Sequence, residues 1–170
     1  MKLFPSKETI DQSLAFLLLR FWLGMRAVMT GIEKYSAKVD EARPVLDEDG
    51  LETGASVMVK VKEYAWEHYH AVPQVFANKF NDEPLLFAWV REPFYQALGI
   101  ILIVLGVMTI LGIAMRVSLF LQGLLYIALT FGFVLLAVDE GVAQLAIHTL
   151  LCAVALYWVK YNCFTLTTKW

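Results

Sequence analysis

Two arginines, Arg20 and Arg26, stand inside an apolar run of membrane-spanning length, residues 13–32, and Gln96, Thr130, Gln144 and His148 stand inside or at the edges of three later runs of the same kind. An ionisable group in hydrocarbon costs a few kcal/mol or more, so it faces protein, water or a ligand and marks a functional position. Counting about 1.5 Å per residue from the nearer end of each run puts Arg26 and His148 roughly 9 Å deep and Thr130 about 12 Å deep, with Glu33, Gln96 and Gln144 at the rim. The spacing therefore predicts a polar pocket in one half of the membrane, built from Arg26, Glu33, Gln96, Thr130, Gln144 and His148. Guanidinium and imidazole donors suit the oxygens of a ligand headgroup, and His148 or Glu33 supplies a group able to exchange a proton with it. Toward the opposite surface Arg20, Gln122 and Tyr126 form an inner polar cluster at matching depth. The blander reading is that intramembrane Gln, Thr and Tyr only hydrogen-bond between helices, and that Arg20 snorkels to the nearby surface.

The elements that must position these residues follow from composition. The chain is 59% apolar and only 18% charged over 170 residues, with mean hydropathy +0.60, and its apolar residues are gathered into four blocks near 13–32, 94–111, 117–138 and 142–161. That pattern predicts an all-α integral membrane protein, a single four-helix bundle in the lipid bilayer with both termini on one side. Lys2, Lys7, Arg116, Lys160 and Lys169 fall on the side of the termini and the second loop, and Asp139 and Glu140 in the third loop. The positive-inside bias places both termini in the cytoplasm. A net charge of -2 without a basic run argues against nucleic acid as a partner.

Residues 33–91 form a long extracytoplasmic first loop. Residues 39–54 are acidic and turn-rich and read as a solvated loop. Residues 57–72 read as an interfacial helix ended by Pro73, whose aromatic side chains suit the headgroup level. Residues 78–84 read as a polar turn, and Glu92-Pro93 as the start of the second span. The loop is the surface expected to dock a protein partner or a second copy. Glu67 and His70 have the spacing of a helical di-iron ligand pair, but a second pair and further carboxylates are missing, so no metal site is expected. Cys152 and Cys163 make no metal or disulfide pattern.

On one face of the first span Arg20, Gly24, Ala27, Gly31 and Lys34 form a small stripe, matched in the second span by Gly99, Ile103, Gly106 and Ile110, which predicts close packing of the two helices. The motifs Leu19-Arg20-x-x-x-Gly24, Gly31-x-x-Lys34 and Gly99-x-x-Leu102-x-x-x-Gly106-x-x-Thr109 resemble the DoxX-like family of small four-helix membrane proteins. That family includes the DoxX and DoxD membrane components associated with thiosulfate:quinone oxidoreductase. The resemblance implies a bacterial or archaeal cytoplasmic membrane, a place near the quinone pool, and a quinone as the ligand of the pocket. It assigns Arg20, Gly24, Gly31 and Lys34 as pattern positions without a catalytic role. Two functions are consistent with this reading: a quinone-linked oxidoreductase subunit, or a non-catalytic membrane subunit that assembles a larger complex.

Overall fold

The computed structural model describes residues 7–46, 50–83 and 86–166. In chain order the elements are α1 (Lys7–Glu33), β1 (Ser36–Leu46), β2 (Glu52–Tyr64), a 3-10 turn (Trp66–His68), α2 (Gln74–Asp82), α3 (Ala88–Leu111), α4 (Met115–Leu135), α5 (Asp139–Trp158) and a second 3-10 turn (Val159–Tyr161). Four of these, α1, α3, α4 and α5, are long and apolar enough to cross a membrane. Their outward faces carry half-exposed Leu18, Trp22, Val104, Phe120 and Leu150, a surface suited to lipid.

The first loop departs from the all-α expectation. Residues 57–72 are not an interfacial helix, and residues 39–54 are not merely solvated loop: β1 and β2 pair antiparallel from Ser36 opposite Tyr64 to Leu46 opposite Glu52. Val57, Val59 and Val61 alternate with Met58, Lys60 and Lys62, and this period of two outweighs the helical spacing of Val57, Val61 and Ala65. The pairing shifts between Pro44 and Leu46, where a proline without an N–H sits on an edge strand. Residues 78–84 are likewise not simply a turn, since α2 runs to Asp82. The acidic positions 47–49, together with Lys2 and Lys169, lie outside the described residues.

Helix ends differ from expectation by a few residues. α3 starts at Ala88, so Pro93 sits in its second turn and removes only the bond to the Trp89 carbonyl. Gly112 closes α3 with φ 71°, and the Ile113 N–H donates to Met108 O at 2.8 Å. Asp139 and Glu140 are the first turn of α5, not a loop, where their charge suits the helix dipole.

The bundle is organised as two tight pairs, α1 with α3 and α4 with α5. In the first pair the glycines are obligatory. A Cβ on Gly24 would come 2.9 Å from Gly106 O, one on Gly31 would come 2.9 Å from Gly99 O, and one on Gly106 would come 2.7 Å from Gly24 O. Such contacts let two helix backbones touch, which matters in a membrane because packing replaces the hydrophobic effect as the source of association. Leu129 packs on both apolar cores, one around Phe16, Leu23, Met115 and Leu119, the other around Ala27, Leu98, Leu102 and Leu125.

At the end of the bundle holding the α3–α4 turn, Arg20 is 2% exposed. Its Nη1 donates to Asn162 Oδ1 and Cys163 O, both at 2.8 Å, and its Nη2 to Ile110 O at 2.9 Å and Phe164 O at 3.2 Å. The guanidinium is thus held by carbonyl dipoles at the C-terminus of α3 and in the segment after α5, rather than by an anion. It does not snorkel, and it ties three parts of the chain together.

Candidate functional site

Toward the other end, where the hairpin lies, the two helix pairs leave between them a cavity of about 770 Å³, within the range of small-molecule sites. Its walls come from all four long helices, and α2 forms its roof. Phe76 and Phe80, an i, i+4 pair on α2, enter the cavity, Phe76 edge-on to Phe133 at 6.1 Å and Phe80 edge-on to Tyr95 at 6.2 Å. Two cations hold the roof in place. Lys34 Nζ donates to Ala71 O just before α2, and Arg91 Nη1 donates to Phe80 O in its last turn at 2.8 Å. Burial pushes the Lys34 ammonium down to about 8, so the charge at this wall falls as pH passes that value.

The roof is also built onto α3 directly. Tyr69 OH accepts from the Gly99 N–H at 3.2 Å and donates to Tyr95 O, so the hydroxyl sits inside one rung of the α3 hydrogen-bond ladder. Only glycine permits this, because a Cβ on Gly99 would lie 2.7 Å from the Tyr69 ring. Tyr35 is sandwiched between Trp66 and Tyr69, each with ring centroids at 4.9 Å, and the His70 N–H donates to Lys34 O at 2.7 Å.

Of the six residues expected to form the pocket, Arg26, Gln144 and His148 line the cavity, and Glu33, Gln96 and Thr130 do not. Glu33 instead accepts both of its short bonds from Lys62 of β2, which fixes the foot of the hairpin and raises the Lys62 pKa. Gln96 is exposed. Thr130 donates to Tyr126 O at 2.7 Å within its own helix. The inner cluster also divides. Gln122 donates to Leu23 O at 3.0 Å and to Tyr126 OH at 2.9 Å and accepts from Thr109 Oγ1 at 3.2 Å, a satisfied node between α1, α3 and α4. Arg20 belongs to the carbonyl cage described above, whereas Tyr126 faces the cavity.

Thr30, Lys34 and Arg91 line the cavity too, although sequence depth did not group them with it. Thr30 lies four residues beyond Arg26 on the same polar face of α1, and Lys34 stands at the end of the glycine stripe. The charged lining residues are Arg26, Lys34 and Arg91, all basic. Arg26 is exposed at the cavity edge and has no carboxylate within ion-pair distance among the described residues.

His148 is the most informative group. Its ring packs edge-on to Tyr126 with centroids at 5.5 Å, and its Nδ1 lies 2.7 Å from Gln144 O. A carbonyl oxygen only accepts, so Nδ1 carries a proton in this geometry. Its Nε2 is buried without a hydrogen-bond partner in the protein. Among the described residues no three of His, Cys, Asp and Glu come close enough to hold a metal ion. His70 Nδ1 lies 3.0 Å from His68 O. No family model, no curated protein and no solved structure matches the chain.

Proposed function

We propose that the cavity binds a membrane quinone or its quinol, and that the protein is the DoxX-like membrane subunit of a quinone-linked redox system. The observation that carries this reading is an aromatic-walled cavity whose charged lining is basic and whose wall includes His148, a ring with a buried, partnerless Nε2. The residues fit the group. His148 accepts from a ring hydroxyl, Arg26 and the free Tyr126 hydroxyl hydrogen donate to ring oxygens, and Phe76, Phe80 and Phe94 flank an aromatic ring. Bound quinone supplies a two-electron, two-proton couple, whose electrons come from or go to a redox centre on a partner subunit. His148 holds or moves the proton at Nε2, and the roof of α2 keeps water from the site. In this reading the termini are cytoplasmic and the hairpin and roof face the opposite side.

The test is binding of a decyl-bearing benzoquinone to purified protein by calorimetry, native against His148→Ala. Loss of the acceptor is expected to weaken binding about tenfold, the scale of one buried hydrogen bond. Unchanged affinity, or no binding by the native protein, would contradict the proposal. A second reading, a non-catalytic assembly subunit, is favoured by the hairpin, whose half-exposed Val39, Val57 and Val59 share one face left open among the described residues.

A further inference from the structure

The charge around the cavity is unbalanced. Among the described residues Arg26, Lys34 and Arg91 line it and no aspartate or glutamate joins them. All three come from one helix pair: Arg26 lies on α1, Lys34 follows its last turn, and Arg91 lies in the first turn of α3. The lining that α4 and α5 supply holds no lysine, arginine, aspartate or glutamate. None of the three cations has a carboxylate within ion-pair distance among the described residues. Glu33, the neighbour of Lys34 in sequence, is taken by Lys62 at the foot of the hairpin. Lys34 and Arg91 donate to the carbonyls of Ala71 and Phe80, which are dipoles without net charge. Burial alone lowers the Lys34 ammonium to about 8, with no opposite charge to hold it up. Cations drawn from water in this way cost free energy until an anion joins them, and a cavity without carboxylates leaves that place to the ligand.

Resting on the quinone reading, which leaves the charge of the ring open, we infer that the cavity binds its ring ligand as an anion, with an ionised ring oxygen toward Arg26, Lys34 and Arg91. The ligand class is a ring acid: a hydroxyquinone, or a hydroquinone that has given one hydroxyl proton to water. No electron moves in this step, since one O–H bond ionises and the pair stays on the ring oxygen. A neutral ring meets the same aromatic walls but leaves the three cations unpaired. A charge-assisted N–H to oxygen bond is about twice as strong as a neutral one, so the ionised oxygen decides which ring is held best.

The experiment compares 2-hydroxy-1,4-naphthoquinone, which is ionised at pH 7, with its 2-methoxy ether, which has no acidic hydroxyl and nearly the same size. Binding is measured by calorimetry in a non-ionic detergent at pH 7 on native protein, Arg26→Gln and Arg26→Lys. Arg26 is exposed at the cavity edge, so its replacement tests charge rather than folding. Native protein is expected to hold the hydroxy compound about tenfold tighter than the ether. Arg26→Gln should cut that advantage to about threefold or less while changing the ether less than about twofold, and Arg26→Lys should keep most of it. Equal affinity of the two rings for native protein, or an advantage that Arg26→Gln leaves unchanged, would overturn the inference and leave the quinone reading standing. So would failure of both rings to bind native protein that does bind the decyl-bearing benzoquinone. If none of the three compounds binds, the quinone reading and the inference fall together.

Discussion

Replacing Arg20 with Met is expected to lower the thermal unfolding midpoint in mild detergent by about 10 °C, because roughly 3 kcal/mol or more of buried hydrogen bonding is lost. The change keeps an unbranched side chain of similar reach but removes every donor. Ile110 O, Cys163 O, Phe164 O and Asn162 Oδ1 then lose the group that binds them. Relaxation and entry of water recover part of the loss, so the net cost is smaller than the sum over four acceptors. The segment after α5 should come loose with it, since among the described residues its remaining backbone tie to α3 is Leu166 N–H to Leu111 O at 3.3 Å. Limited proteolysis near residues 162–166 therefore rises in Arg20→Met. Arg20→Lys retains the charge but lacks the fork that reaches two sides at once, and falls between native and Met. A midpoint within about 2 °C of native for Arg20→Met would show that the carbonyl cage contributes little.

Gly106→Val should be at least as damaging, and through a different cause. The new Cβ would lie 2.7 Å from Gly24 O and 2.8 Å from Val28 N, both backbone atoms of α1. Neither can yield as a side chain does, so the α1–α3 pair has to separate. Separation loosens the core of Ala27, Leu98 and Leu102, the last two of which line the cavity. Expected results are a fall of about 10 °C or more in the unfolding midpoint and loss of ligand binding. Gly123→Ala is the matched comparison. Its Cβ would meet only Cys152 Cβ at 3.5 Å, an ordinary contact, and the variant should unfold within about 2 °C of native. Equal behaviour of the two variants would mean that glycine is not required for the seam.

The seam was legible in the sequence because small residues at helical spacing have one use in lipid, and Gly24, Gly31, Gly99 and Gly106 stand opposite one another as their spacing implies. The hairpin was not, because residues 57–72 mix two periods. Aromatic residues at Tyr64, Trp66 and Tyr69 favoured an interfacial helix, while the valine–lysine alternation before them specifies a strand. The roof was missed for a related reason: nine residues from Gln74 to Asp82 are too short to stand out by periodicity, and Phe76 and Phe80 acquire meaning only once the helix crosses the bundle.

Depth counting grouped polar side chains by height but carried no information about azimuth. Arg26, Gln144 and His148 share both height and direction, and they line the cavity. Thr130 shares only height and turns to its own helix. Glu33 shares the height of the rim, yet a lysine from a strand not foreseen claims it. Lys34 and Arg91 reach the cavity because α2 lies over it, and each spends a donor on the roof while keeping others free.

The central claim is that a ring-bearing headgroup sits between Arg26 and His148. The most direct measurement is a side-chain-resolution map of the native protein with the decyl-bearing benzoquinone bound. The account predicts a ring oxygen within about 3.2 Å of His148 Nε2 and a second oxygen facing Arg26. A cavity filled by lipid chains alone, with His148 Nε2 facing no polar atom and the quinone elsewhere on the surface, would contradict it.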